Sequence, residues 1–171
     1  MKTRRLERCS QTFLSMKIIS IDPGYGRCGI AIVSGNASKQ VCEYSDCIET
    51  NSKTDFTERL QIICQQIEKV IQKHQPDGLA IEKLFFNRAT TTAMKVAQVK
   101  GAIILTALAA DITIYEYAPK EIKIAVTGYG NSPKQQMILM TSQLVNVRDN
   151  AKHDDEYDAV AVGITCLAHE G

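Results

Sequence analysis

The segment from Lys17 to Val33 constrains the fold more than any other part of the chain. An isoleucine-rich run leads to Asp22, and Pro23 and Gly24 then turn the chain into a second apolar strand. Burying a lone carboxylate costs several kcal/mol unless a cation or hydrogen bonds satisfy it. We therefore interpret Asp22 as a functional group at the end of a buried strand.

The composition predicts a single ordinary globular domain. The chain has 171 residues, of which 44% are hydrophobic, and this is enough to bury a core. Its formal charge of +1 does not indicate a nucleic-acid binder. Residues 1–15 hold four basic residues and one acid, so the rest of the chain has a net charge of −2. We expect residues 1–15 to be a disordered extension, residues 16–171 to form the domain, and any DNA-binding face to be a local patch.

The cysteines and the hydropathy pattern favour a cytoplasmic protein. The chain has six cysteines, with no C-x-x-C pair and no signal peptide before them, so we expect free thiols in a reducing compartment. The longest apolar run is about half of the ~20 residues that a membrane span needs. We therefore expect no membrane segment.

Apolar periodicity predicts an α/β domain. Three strands form an antiparallel meander at the start, and a capping box of Asp55 and Glu58 opens a helix with an apolar stripe. A short buried strand ending at Glu82, a long helix, a fifth strand and a helix capped by Ser132 follow, and the last helix begins near Asp155. This order predicts a mixed five-stranded sheet flanked by helices on both faces.

Four carboxylates stand where this fold would bring them together. Asp22 and Glu82 end two buried strands, and Asp155 and Asp158 share one face of the last helix. Four acids without basic partners repel one another, so we expect divalent cations between them, and all-oxygen ligation favours Mg²⁺ or Mn²⁺ over zinc. Two such ions can activate a water and stabilise the leaving oxygen of phosphoryl transfer, which predicts a two-metal phosphodiesterase.

Plainer interpretations of the same region stay open. Asp22 could be only a turn former before Pro23, and Asp155 could be only an N-terminal carboxylate that interacts with the helix dipole. We interpret Asp154 as solvated, because it is out of register with the other helix acids, and His153 as an exposed loop residue.

The long helix and the residues before it have an unusual charge pattern, with no acid between Glu82 and Asp111. The cations of this segment are Lys83, Arg88, Lys95 and Lys100. This pattern favours contacts with DNA phosphates over an ordinary solvated face. Residues 101–110 are apolar nearly all round the helix, which predicts burial against the sheet on one side and a partner subunit on the other.

Five motifs occur in order along the chain: Asp22-Pro-Gly, Ile81-Glu82-x-x-Phe85-Phe86, Gln98-x-Lys100-Gly101, Val126-Thr-Gly-Tyr-Gly-x-x-x-Lys134 and Asp155-x-x-Asp158-Ala-x-Ala. Together they resemble RuvC, the bacterial Holliday junction resolvase (crossover junction endodeoxyribonuclease) family. The resemblance runs from Met16 to about Ala168. It implies a ribonuclease-H-like fold and a RuvC-like nuclease domain over residues 16–171.

The resemblance also implies an activity and partners. A member of this family acts as a homodimer in homologous recombination and DNA repair, and makes paired symmetric nicks in four-way junction DNA by Mg²⁺-dependent hydrolysis. Two ions in each subunit, Mn²⁺ as a substitute, 5′-phosphate products and a bacterial cytoplasmic location follow from the same resemblance. A branch-migration motor complex is a further possible partner.

Position by position, the resemblance implies roles for individual side chains. The acids that match the family's metal ligands are Asp22, Glu82, Asp155 and Asp158. Phe85 matches an aromatic residue that contacts junction bases, which suits a stacking platform. Lys123 and Lys134 match basic residues near the scissile phosphate, where a cation stabilises the charge that develops in the transition state.

Three other functions stay open at this point. A nuclease of related fold could process RNA precursors, and a non-catalytic module could bind junctions without cutting them. An ATPase or sugar kinase also uses an Asp-x-Gly strand hairpin at phosphates, but it needs a second domain of similar size, for which this chain has no room.

Overall fold

A mixed five-stranded sheet forms the centre of the protein. The computed structural model describes residues 15–85, 90–147, 151 and 153–171. The strands are β1 (Met16–Asp22), β2 (Arg27–Gly35), β3 (Gln40–Glu49), β4 (Gly78–Glu82) and β5 (Thr113–Tyr117), in the spatial order β3-β2-β1-β4-β5. The first three strands are antiparallel neighbours, whereas β4 runs parallel to both β1 and β5. The predicted sheet is therefore confirmed.

Helices cover both faces of this sheet. They are α1 (Phe56–His74), α2 (Thr91–Ala109), α3 (Pro119–Thr127), α4 (Lys134–Leu144) and α5 (Asp154–Glu170). Side chains alternate along β1, so Ile19 joins the core formed with α1 and α2, whereas Ile18 joins the core formed with α3, α4 and α5. This alternation explains why the strand is apolar at nearly every position.

The parallel pairing of β1 with β4 places two acids at one edge of the sheet. Ile21 is the register partner of Ile81, so the next residues, Asp22 and Glu82, leave the sheet side by side at its carboxyl edge. Ligand sites of open α/β sheets lie at this edge. The register alone therefore brings the first two predicted site residues together.

Two glycines let α5 lie directly against the sheet. A Cβ atom on Gly163 would stand 2.6 Å from Val33 Cγ2 and 2.7 Å from Ser20 Oγ, and a Cβ atom on Gly29 would stand 2.0 Å from the carbonyl oxygen of Asp155. Only glycine tolerates such an approach. The first turn of α5 therefore reaches the carboxyl end of β1.

Two predicted helix caps are wrong in detail. Asp55 precedes α1, but its side chain makes no capping hydrogen bond. Ser132 does not cap α4, because its hydroxyl donates to the Tyr129 carbonyl oxygen at 2.7 Å and the capping position is occupied by Pro133. For Ser132 the hydrogen bond to the preceding loop takes the place of a capping bond.

Three further expectations concern the cysteines, a membrane segment and the N-terminal extension. Five cysteines are free thiols in the part of the chain that the structure describes. Helix α2 is long and apolar enough by composition to cross a membrane, yet the side chains of Val99, Ile103 and Ala107 on one of its faces are buried in the protein core. Except for residue 15, the predicted extension over residues 1–15 lies outside the described residues, as does Arg88.

Candidate active site

The four predicted acids lie within electrostatic range of one another. Burial, and then the carboxylates of Asp158, Glu82 and Asp155 in that order, together raise the pKa of Asp22 to about 7. A carboxyl group at such a position is kept partly neutral because its charge is poorly solvated and lies beside other negative charges. The structure therefore groups side chains from two strands and one helix, as the sequence predicted.

Glu82 and Asp158 also have raised pKa values. Burial and then the charge of Asp158 raise the pKa of Glu82. Burial also raises the pKa of Asp158, although a hydrogen bond from Lys134 opposes the shift. A group of carboxylates with raised pKa values is the electrostatic condition that a bound divalent cation would relieve.

Lys134 lies directly among these acids. Its ammonium is 2.6 Å from Asp158 Oδ2 and 2.7 Å from Asp154 Oδ2. Burial acts to lower the pKa of Lys134, but the hydrogen bonds to Asp154 and Asp158 outweigh it and raise that pKa. Asp154 keeps 41% of its side chain exposed, as expected of a solvated acid, but it also accepts a hydrogen bond from Lys134, which lowers the pKa of Asp154.

Arg27 is a second cation at the site, and the sequence patterns do not predict it there. Its Nε atom is 3.0 Å from Asp155 Oδ2, and its Nη2 atom is 3.6 Å from Asp154 Oδ1. The statement that the acids lack basic partners is therefore wrong. Arg27 begins β2, which runs antiparallel to β1, so its side chain emerges at the same edge as Asp22. That register is the signal that could have identified it.

His153 is also engaged rather than simply exposed. Its Nε2 atom lies 2.9 Å from Glu49 Oε1, and its Nδ1 atom lies 3.4 Å from Arg27 Nη1. Since arginine can only donate, these contacts are consistent with a neutral ring that accepts at Nδ1 and donates at Nε2. The N-terminus of α5 is thereby connected to the end of β3.

A buried arginine holds the loop that follows Asp22. Arg59 is 7% exposed and donates from Nη2 to the Tyr25 carbonyl oxygen and from Nε to Thr50 Oγ1, both at 2.8 Å. Its guanidinium also lies over the Tyr25 ring, 4.8 Å from the centroid. The sequence did not identify this residue, because its role depends on contacts between α1 and a distant turn.

Two of the four acids and two lysines line an open cavity of about 210 Å³. Glu82, Lys123, Lys134 and Asp158 contribute its polar lining, and its apolar wall includes Met137 from α4. The two lysines lie on α3 and α4, the helices that follow the fifth strand. The cavity therefore offers carboxylates and ammonium groups to one ligand, a combination that suits a phosphodiester and its metal ions.

The chemistry of the donor atoms, rather than their spacing, suits a hard divalent cation. All four predicted ligands are carboxylates, and Asp155 Oδ2 is buried without a hydrogen-bond partner, so a lone pair remains available to a metal. Among the residues that the structure describes, no three His, Cys, Asp or Glu side chains are close enough together to hold one ion jointly. Arg27 and Lys134 instead neutralise part of the acidic charge.

The predicted DNA-contact residues differ in their surroundings. Lys83 is exposed, and the Phe85 side chain is 68% exposed. The Lys95 ammonium lies 5.5 Å from the centroids of both the Tyr25 and the Phe56 rings. These side chains are accessible to a ligand to different degrees, and Arg88 is outside the described residues.

Lys100 is placed differently from the other predicted DNA-phosphate contacts. Its side chain is 11% exposed, its ammonium donates to the Glu82 carbonyl oxygen at 2.9 Å, and it forms an ion pair with Glu116 of β5. Lys100 therefore stabilises the end of β4 beside β5. A phosphate contact from this ammonium would require the ion pair to open.

Comparison with known proteins agrees with the geometry. The family model described as "Crossover junction endodeoxyribonuclease RuvC" matches residues 18–166. A protein of that name from Alkaliphilus metalliredigens is 42% identical over 157 residues, which cover 91% of this chain and 94% of that protein. Another from Brachyspira hyodysenteriae is 40% identical over 154 residues, with 90% and 93% covered.

Solved structures show the same fold. A structure of Thermus thermophilus RuvC in complex with Holliday junction substrate superposes with a TM-score of 0.83 at 26% identity, covering 90% of this chain and 94% of that chain. The yeast mitochondrial Holliday junction resolvase Ydc2 has a TM-score of 0.68 at 15% identity, covering 93% of this chain and 80% of that chain. These neighbours confirm the predicted ribonuclease-H-like resolvase fold. The chain belongs to the family of the crossover junction endodeoxyribonuclease RuvC, as the resemblance predicted.

Proposed function

We propose that this protein resolves Holliday junctions in homologous recombination and DNA repair, as a metal-dependent endodeoxyribonuclease that makes paired symmetric nicks. The observation that carries the proposal is the cavity at the carboxyl edge of the sheet, where Glu82 and Asp158 face Lys123 and Lys134. Carboxylates and ammonium groups around one open cavity suit phosphodiester hydrolysis. The choice of DNA as the substrate rests on membership of the family.

The proposed metal ligands are Asp22, Glu82, Asp155 and Asp158. Their all-oxygen donor set suits Mg²⁺, with two ions in each subunit and Mn²⁺ as a substitute. Mg²⁺ bound there would supply Lewis-acid stabilisation and a water of lowered pKa for attack on phosphorus. The raised pKa of Asp22, about 7, is consistent with a carboxylate whose charge needs a bound cation.

The two lysines act on the phosphate. Lys123 and Lys134 line the cavity beside Glu82 and Asp158, so their ammonium groups can lie against the non-bridging oxygens of a bound phosphodiester. A preplaced cation stabilises the negative charge that increases in the transition state. We propose in-line attack with departure of the 3′ oxygen, which leaves a 5′-phosphate and a 3′-hydroxyl end.

Residues outside the cavity are proposed to bind the junction. The exposed ring of Phe85 offers a surface on which an unpaired base can stack. Lys83, Lys95 and Arg88 are proposed phosphate contacts. Lys100 joins them only if its ion pair with Glu116 opens.

A second copy of the chain is the proposed partner of α2. Val99, Ile103 and Ala107 face the core, whereas Met94, Leu105 and Leu108 are 62%, 68% and 54% exposed. An apolar face of this kind marks an interface. A two-fold dimer would present two cavities to the two opposed strands of a junction. A bacterial cytoplasmic location and docking of branch-migration motor proteins belong to the same proposal.

Cleavage of a synthetic four-way junction in Mg²⁺ tests the function. We expect symmetric nicks by the wild-type protein and none by Asp22→Asn, whose junction binding is measured in parallel. Equal cutting of linear duplex DNA would contradict junction selectivity. Preferred cleavage of a structured RNA would favour the RNA-processing alternative, and selective binding without cleavage in any divalent metal would favour the non-catalytic one.

A further inference from the structure

Arg27 occupies an unusual position beside a predicted metal ligand. It is the first residue of β2, and its guanidinium approaches two consecutive acids at the start of α5. The Nε atom is 3.0 Å from Asp155 Oδ2, and the Nη2 atom is 3.6 Å from Asp154 Oδ1. The Arg27 side chain is half exposed, whereas that of Asp155 is 17% exposed.

The contact between Arg27 and Asp155 is an ion pair without hydrogen-bond alignment. Although Nε is within 3.0 Å, the buried Oδ2 atom accepts no hydrogen bond from any residue that the structure describes. The guanidinium therefore offsets the charge of the carboxylate and leaves the oxygen lone pair available. A buried acceptor in this condition can bind a cation of smaller radius.

We propose that Arg27 is an internal cation that competes with the divalent metal for Asp155 and thereby sets the metal affinity of the site. The inference rests on the proposed metal-dependent function and concerns a residue that the family resemblance did not single out. A divalent ion on Asp155 would stand close to the guanidinium, and the two positive charges repel each other. Arg27 acts through Asp155 and is a positioning residue rather than a catalytic one.

The guanidinium has other groups to turn to when Asp155 binds a metal. Glu49 is the cross-strand register partner of Arg27 in β3. His153 lies between them, with Nε2 at 2.9 Å from Glu49 Oε1 and Nδ1 at 3.4 Å from Arg27 Nη1. Arg27 can therefore release Asp155 while keeping a hydrogen-bond acceptor and a negative charge nearby. Because these groups partly compensate for the lost contact with Asp155, Arg27 weakens metal binding without preventing it.

Direct Mn²⁺ binding tests the proposal without relying on activity. The free-ion electron paramagnetic resonance signal is titrated with wild-type protein, Arg27→Met and Arg27→Gln, in the absence of DNA. Both neutral variants are expected to bind Mn²⁺ about tenfold more tightly, which corresponds to roughly 1.4 kcal/mol of removed repulsion. Arg27→Lys keeps the charge and should stay close to the wild-type affinity.

Lys17→Met is the matched control. It removes the same formal charge at the other end of the sheet, where Lys17 pairs with Glu43 at 3.0 Å. Its Mn²⁺ affinity should equal that of the wild type, because Lys17 lies at the opposite end of the sheet from the site and salt screens charges over such a separation. Circular dichroism of each variant shows whether it is folded. Two neutral substitutions of Arg27 are used so that the test remains possible if one of them does not fold.

The outcomes separate the two proposals. Unchanged or weaker Mn²⁺ binding by a folded neutral variant overturns the role of Arg27. Equal tightening in Lys17→Met also overturns it, since the effect would then be one of net charge. If the wild type binds no Mn²⁺ at millimolar concentrations, or if Asp158→Asn binds it equally well, the metal site of the proposed function fails as well.

Discussion

Gly29 of β2 and Asp155 of α5 are in direct backbone contact, so that a Cβ atom on Gly29 would stand 2.0 Å from the Asp155 carbonyl oxygen. Asp155 can reach the end of β1 only because this close approach exists. Ser45 of β3 reinforces the same contact region, since its hydroxyl donates to the buried Glu156 carboxylate at 3.1 Å. The position of the acidic helix face therefore depends on backbone packing as well as on the acids themselves.

Gly29→Ala is expected to destabilise the fold and reduce junction cleavage. The new methyl group must displace the start of α5, and overpacking of this kind costs about 1–3 kcal/mol or more. Urea denaturation measures the loss. Gly26→Ala is the matched control, because its Cβ atom would meet only Arg59 Nη2 at 3.5 Å, an ordinary contact distance. Equal stability of Gly29→Ala and the wild type would contradict the packing argument.

The carboxylates could be predicted from the sequence because local patterns place them. An apolar run that ends in an acid identifies Asp22 and Glu82, and an i, i+3 spacing identifies Asp155 and Asp158. The parallel strand pairing that makes the first two neighbours follows from the order of elements. Each step needs only short-range information along the chain.

The ion pairs of Arg27 and Lys100 could not be predicted in the same way. Arg27 meets Asp155 across 128 positions of sequence, and the packing of α5 that brings them together is specified by no local pattern. Lys100 belongs to an acid-free segment, but β5 brings Glu116 to its ammonium. The charge pattern along the sequence therefore predicts four cations free to contact DNA phosphates, whereas long-range pairing with Glu116 already neutralises Lys100.

Asp22 should make the metal-free protein less stable as the pH rises. Its pKa in the fold is about 7, against 3.8 for an unperturbed group. Between these values the folded state binds more protons than the unfolded state, so the free energy of unfolding falls with rising pH. Urea denaturation in EDTA from pH 4 to pH 7 measures the slope.

The control for this prediction is Asp22→Asn, which cannot titrate. Its unfolding free energy should fall less steeply over the same pH range, and the difference from the wild type isolates the Asp22 contribution from those of Glu82 and Asp158. Saturating Mg²⁺ should flatten the wild-type slope, because the metal binds the charged carboxylate. Parallel slopes for the two proteins would argue against a raised pKa at Asp22.

Lys134→Gln should slow cleavage far more than it weakens junction binding. The ammonium lies 2.6 Å from Asp158 Oδ2 and lines the cavity, so it is placed to stabilise charge in the transition state. Loss of one such donor reduces the rate by about 10²–10³-fold. Single-turnover cleavage rates in Mg²⁺ and junction affinity in Ca²⁺ separate the two effects. The exposed Lys69 of α1 provides the control Lys69→Gln, and equal rates for the two variants would exclude a specific role for Lys134.

Leu105→Glu is expected to separate the proposed dimer. Leu105 is 68% exposed on the apolar outer face of α2, and a buried, unpaired carboxylate there would cost several kcal/mol in the interface. Sedimentation equilibrium should show a monomer that remains folded by circular dichroism. Leu139→Glu on α4, where Leu139 is 55% exposed, removes a similar apolar side chain from another face and should leave the dimer intact. Because paired nicks need two cavities on one junction, the monomer should release single-nicked rather than resolved products. A Leu105→Glu dimer with unchanged affinity would place the interface elsewhere.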